Sequence, residues 1–109
     1  MLFLRRLTLH AASAGALLLT ASTAAAAPRE HVVVIDKMKF GPVAPTLHKG
    51  DAIIWVNRDI FRHTATAANR SFDVDLPPGA KVKIVLKDTG SIPFVCRYHP
   101  GMRGTLQVK

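Results

Sequence analysis

The chain has 109 residues, 49% of them hydrophobic, with a formal net charge of +8 and a single cysteine. That length allows one small domain and little more, and one cysteine cannot close a disulfide within the chain. The basic residues are interspersed rather than gathered into a run, which together with the N-terminal segment below excludes a nucleic-acid partner.

Residues 1–26 have the layout of a secretory signal peptide: Arg5 and Arg6, an apolar stretch over 7–21, then a tract of small residues. The apolar stretch is short against the about 20 residues of a membrane span. A cut after Ala26 satisfies the Ala-x-Ala pattern with Ala24 and keeps Pro28 from following it directly. The expectation is export to the periplasm, with 1–26 removed, 27–109 as the one domain, and no stable membrane insertion afterwards. The Arg5-Arg6 pair fits a twin-arginine signal as well as an ordinary basic start. Without the leader, 13 basic side chains face 7 acidic ones, near +6, which suits a partner with an acidic face or an anionic surface.

Roughly 83 residues remain, a size at which a hydrophobic core alone is marginal and a staple is expected. In an oxidising compartment the usual staple is a disulfide, which this chain cannot make. Its thiol must be buried, paired with another chain or bound to metal.

The segments after the leader are short, rich in Val, Ile and Thr, and punctuated by Pro, Gly, Asn and Asp, the pattern of an all-β sandwich or barrel. Residues 31–36 read as the opening strand. Residues 40–45 hold two prolines and break regular pairing, and 46–51 form an edge and a turn. Residues 52–57, apolar on both faces, read as a central strand. Phe72, Val74 and Leu76 alternate with Asp73 and Asp75, and Val82, Ile84 and Leu86 with Lys81, Lys83 and Val85, so each segment has one buried face. A Pro77-Pro78-Gly79 turn joins them. After a turn at 88–91, Ile92, Phe94 and Cys96 share a face by the same period, which points the thiol inward. Residues 104–109 close the domain with Leu106 and Val108 inward, so that 96–102 becomes a ligand loop clamped between two strands.

Residues 96–102 read Cys-Arg-Tyr-His-Pro-Gly-Met. A thiolate and two imidazoles with a weak thioether are the donors of a blue-copper electron-transfer site, which suits both oxidation states of copper. The spacing lets one tight loop supply Cys96, His99 and Met102, with Pro100-Gly101 at the bend. The fourth donor must come from elsewhere. His63 is preferred, with His31 at the start of the first strand and His48 in a turn-like segment as competitors. Met38 is likewise a rival to Met102 that reads better as packing. Trp55 reads as core rather than an electron conduit. Arg58, Arg62, Arg97 and Arg103 read equally as solvated side chains and as a docking surface.

On Gly50-Asp51 leading into Trp55-Val56-Asn57-Arg58, on His63, and on Cys-x-x-His-x-x-Met-Arg-Gly at 96–104, the chain resembles the cupredoxins, and within them the amicyanin-like branch. The resemblance implies a single-domain Greek-key β-sandwich and one copper ion, cycling between Cu(I) and Cu(II), on His63, Cys96, His99 and Met102. It also implies one-electron shuttling between redox partner proteins. Where that family often has proline and asparagine on either side of the first histidine, this chain has Arg62 and Thr64. Thr64 is expected to replace the asparagine's hydrogen bond, and Arg62 to put a cation beside the approach to the metal.

The expectation is therefore an exported, monomeric electron carrier that is not an enzyme. The alternative is a periplasmic copper-binding protein for delivery or detoxification, although such proteins tend to be Met-rich or His-rich and this domain has only Met38 and Met102. A multicopper oxidase or nitrite reductase would need a further domain or an association that the sequence does not show.

Overall fold

The computed structural model describes residues 2–3, 8–20 and 27–109. Arg5, Arg6 and the expected cut after Ala26 lie outside the described residues. Residues 8–20 carry no regular secondary structure, and among the described residues no helix is long and apolar enough to cross a membrane.

Eight strands follow: β1 (Glu30–Asp36), β2 (Lys39–Phe40), β3 (Ala52–Asn57), β4 (His63–Ala67), β5 (Asp73–Leu76), β6 (Lys81–Val85), β7 (Gly90–Cys96) and β8 (His99–Val108). They form two four-stranded sheets, ordered β2-β1-β3-β6 and β5-β4-β7-β8. Of the all-β sandwich and barrel that the strand pattern allows, this is the sandwich that the family resemblance implies. β3 is interior to its sheet, paired in parallel with β1 and antiparallel with β6. The segment expected to break the pairing does so: after β2 the chain leaves its sheet and meets the other one at an isolated bridge between Leu47 and Val108 of β8.

Alternating residues of both sheets meet in one core: Val33, Ile35, Ile53 and Trp55 from the first, and Leu76, Ile92, Phe94, Cys96 and Leu106 from the second. Trp55 and Phe94 stack edge to face at 5.2 Å between centroids, with Phe40 4.8 Å from Phe94 and Phe72 5.8 Å from Trp55. Trp55 is therefore core, as expected, and its Nε1 is buried without a hydrogen-bond partner among these rings.

The Phe94 ring needs a glycine opposite. A Cβ on Gly104, its cross-strand neighbour, would sit 2.4 Å from Phe94 Cζ, and the ring is boxed in by three other aromatics. Gly104→Ala is expected to cost about 1–3 kcal/mol by overpacking, seen as a lower urea midpoint with an unchanged slope. A midpoint equal to wild type would show that the ring can move aside.

Two segments differ from the sequence expectation. Residues 63–67 form a strand, although alternating Thr and Ala give little hydrophobic contrast: paired between β5 and β7, the strand buries Ala65 and Ala67 in the common core. β8 starts at His99 rather than near 104, so the expected ligand loop shrinks to a turn at Arg97 and Tyr98.

Asp51 organises the end of the sandwich where β3 begins. It is buried, accepts hydrogen bonds from the backbone N–H of Arg29 and of His48, and meets His31 Nε2 at 3.0 Å. These contacts, the Arg29 N–H first, hold its carboxyl down at about 2. A depressed carboxyl pKa means that the unfolded chain binds the proton more tightly. The stabilisation is thus complete above the ordinary Asp value of about 4 and is lost as pH falls toward 2. Urea unfolding between pH 6 and pH 2 should show this loss in wild type and a flatter profile in Asp51→Asn; parallel profiles would refute it.

Candidate metal centre

Cys96 ends β7 on the inward face it shares with Ile92 and Phe94, and is fully buried. β7 and β8 pair in order from Gly90↔Val108 to Val95↔Arg103, and then Cys96 pairs with His99. Pro100, Gly101 and Met102 are thus surplus on β8. Proline has no N–H to give the ladder, so the irregularity falls where the sequence cannot pair. His99 opens β8, half-buried, and Met102 is buried in the core cluster three residues on.

β4 lies between β5 and β7, with Thr66 opposite Val95, which carries His63 and Thr64 alongside Cys96. Cys96 Sγ is 3.7 Å from His63 Nδ1 and 3.5 Å from His99 Nδ1, and all three donor atoms lie within 4.8 Å of one another. A triangle of this size leaves each donor about 2–2.4 Å from a common centre, near the N and S bond lengths of a first-row transition metal. One thiolate and two imidazoles at that spacing fit copper by donor chemistry as well.

His31 and His48 both lie against Asp51, separated from this cluster by the length of β3, about 20 Å at a strand's rise per residue. They are not part of it. Met38 is partly buried against the core, as the packing reading expects.

Thr64 makes hydrogen bonds on both sides of the Cys96–Arg97 peptide. Its Oγ1 accepts the Arg97 N–H at 2.9 Å, and its own N–H points at Cys96 Sγ at 3.4 Å. The Thr64 hydroxyl meets that of Thr66, which donates to Asp73, and Asp73 pairs with the Arg97 guanidinium. Arg97 is therefore tied to β4 and β5 through both its backbone and its side chain, which fixes the turn between Cys96 and His99.

Sequence reasoning missed two residues. Asn57 ends β3, almost wholly buried; its Nδ2 donates to the carbonyls of Phe61 and Leu76, each at 2.8 Å, and its Oδ1 accepts the Asp59 N–H. Asp59 in turn places a carboxylate oxygen 3.0 Å from His63 Nε2. That contact and the N–H groups of Met38 and Ile60 keep its carboxyl below the usual range. The signal available was an Asx turn at 57–59 four residues before the histidine.

Around the half-buried His99 edge, Ile60, Phe61 and Tyr98 are exposed, with the Phe61 ring 6.4 Å from that of His99. Arg62 forms a two-pronged pair with Asp75, which raises its pKa and lowers that of Asp75, and Arg97 is held by Asp73. Arg103 donates to the Pro100 carbonyl, and among the described residues Arg58 has no ion pair. Half of the arginine charge expected to serve docking is thus neutralised locally.

A family model of the cupredoxin-like domain matches residues 9–108. Amicyanin of Paracoccus versutus is 30% identical over 93 residues, covering 79% of this chain and 70% of that protein. Among solved structures, a variant of amicyanin in its reduced Cu(I) form is similar with a TM-score of 0.57 at 29% identity, over 82% of this chain and 88% of that one. A purple cupredoxin from Nitrosopumilus maritimus reaches 0.63 over 72% and 98% of the two chains, at 19% identity, a likeness of fold alone.

Proposed function

Because the chain belongs to the cupredoxin-like domain family, we propose that it is an exported blue-copper protein that carries single electrons between redox partners, holding one copper ion on His63, Cys96, His99 and Met102. The observation that carries this reading is the convergence of Cys96 Sγ with the Nδ1 atoms of His63 and His99. Copper so held supplies a one-electron couple. The protein supplies a soft, buried thiolate and a rigid frame, since Thr64 and Asn57 fix the segments that bear the donors. A frame that changes little suits an ion whose two oxidation states prefer different geometries. His63 is fully enclosed, whereas His99 is half-exposed, so the electron enters and leaves by the His99 edge, inside the apolar collar of Ile60, Phe61 and Tyr98.

Adding Cu(II) to the metal-free protein should give an intense blue absorption band and a reversible one-electron wave. A weak band and rapid stripping by a mild chelator would instead indicate copper delivery or detoxification. The enclosure of Cys96 and His63 favours retention of the metal over exchange.

Residues 1–26 act in this reading as the signal peptide for the periplasm, and a secreted product beginning elsewhere than Ala27 would refute the cut. The partner presents an acidic face to Arg58 and Arg103. The transfer rate should fall as salt rises, but gently, because Arg62 and Arg97 are paired with Asp75 and Asp73. Arg58→Glu should slow encounter severalfold at low salt and leave the absorption band unchanged. A rate indifferent to both salt and this substitution would remove the acidic partner.

A further inference from the structure

We infer that Asp59 is the anionic positioning residue of His63: its carboxylate selects the ring tautomer that bares Nδ1 toward Cys96, and it favours the more highly charged oxidation state of the metal. The second half rests on the copper reading above. Asp59 Oδ2 lies 3.0 Å from His63 Nε2 and accepts the Met38 N–H at 2.9 Å, while Oδ1 accepts the Ile60 N–H at 2.8 Å. An ionised carboxylate can only accept, and a neutral imidazole has one N–H. The hydrogen therefore sits on Nε2, and the Nδ1 lone pair is left facing Cys96 Sγ at 3.7 Å.

The carboxylate is also held still. Its donors come from the β1–β2 turn, its own loop and β4, and its backbone N–H is bound by Asn57 Oδ1. His63 is fully enclosed and the Asp59 side chain is 9% exposed, so the negative charge is weakly screened. A backbone carbonyl would fix the tautomer without adding charge. A carboxylate does both, and a fixed negative charge stabilises Cu(II) more than Cu(I) because Cu(II) carries one more positive charge.

Asp59 has a scaffolding task that must be separated from this one. Lys37 and Met38, between β1 and β2, have φ of 50° and 60°, the left-handed region that L side chains occupy at a cost, and the Met38 N–H is anchored by Asp59. In Lys37→Gly one of the two strained positions becomes permissive, so the turn leans less on the carboxylate.

The test is Asp59→Asn, alone and with Lys37→Gly. Asparagine keeps the shape and one acceptor but not the charge. Cu(II) affinity should fall about tenfold more than Cu(I) affinity, which for a one-electron couple is a rise of about 59 mV in potential. The same rise is expected in the Lys37→Gly background, where loss of the turn cannot account for it. In the metal-free protein, nitrogen-15 NMR should find His63 protonated at Nε2 in wild type and a mixture of tautomers in Asp59→Ala.

Equal losses of both affinities with an unmoved potential would reduce Asp59 to scaffold and overturn the charge role. Protonation of Nδ1 in metal-free wild type would overturn the tautomer role. A wild-type protein that binds no copper overturns the copper reading and the potential half with it, while the tautomer measurement, which needs no metal, is decided separately.

Discussion

Cys96→Ala is expected to abolish the blue band and the thermal stabilisation by copper while leaving the metal-free fold nearly intact. Cys96 is the one sulfur donor with no substitute, since the chain has no second cysteine. In the metal-free protein, by contrast, the thiol is a small buried side chain at the end of β7, approached by the Thr64 N–H at 3.4 Å. Its truncation should cost about 1 kcal/mol in the metal-free state. The metal-bound states should differ far more. Copper at a thousand times its dissociation constant adds about 4.1 kcal/mol to a folded protein that binds it only when folded. For a domain of this size that is a rise on the order of 15–30 °C in melting temperature. Thermal melts of wild type and variant, each with and without Cu(II), therefore form a four-way comparison. A variant that still gains most of the copper-induced shift would mean that the two histidines hold the metal without the thiolate, and the blue-copper reading would fall.

Asn57→Ala has the largest effect expected on the fold itself. Three hydrogen bonds leave with the amide: two donated to the carbonyls of Phe61 and Leu76 and one accepted from the Asp59 N–H. Alanine offers nothing in return, and the Leu76 carbonyl is enclosed, so stranded groups bear their desolvation cost. The sum is roughly 3–5 kcal/mol, against a total stability of about 4–12 kcal/mol for a domain of some 80 residues. The segment it ties down, 57–63, carries Asp59 and His63, so fold and site should weaken together. The metal-free variant should melt far below wild type, and Cu(II) should recover much of the loss by mass action. A metal-free melt within a few degrees of wild type would show that water or a neighbouring group replaces the amide.

The contrast between these two substitutions follows from where each residue acts. On the copper reading Cys96 is needed by the metal and is nearly dispensable to the sandwich, whereas Asn57 holds the loop that leads to His63. The candidate donors were legible in the chain because donor type is local chemistry: Cys96, His99 and Met102 lie within seven residues, and on the copper reading their type and spacing restrict the metal. The inward direction of Cys96 was legible too, because Ile92 and Phe94 share its face by the strand period. The preference for His63 over His31 and His48 could be stated only from their segments. It became a distance when β4 was laid beside β7 and the other two histidines were found around Asp51.

What the sequence by itself determined was what periodicity and residue type can encode: an all-β domain, most of its strands, the inward-facing thiol and the motif's place in the family. Tertiary structure decided the rest, since it turned on partners distant in the chain. The weakly contrasted Thr-Ala strand is buried between β5 and β7 in the common core. Arg62 and Arg97 are neutralised by aspartates on β5, 13 and 24 positions away along the chain. Asp59 reaches both His63, four residues on, and the turn at Met38, 21 residues back; the Asx turn at 57–59 marks the first contact locally, whereas the second depends on where two groups end in space and not on their separation along the chain.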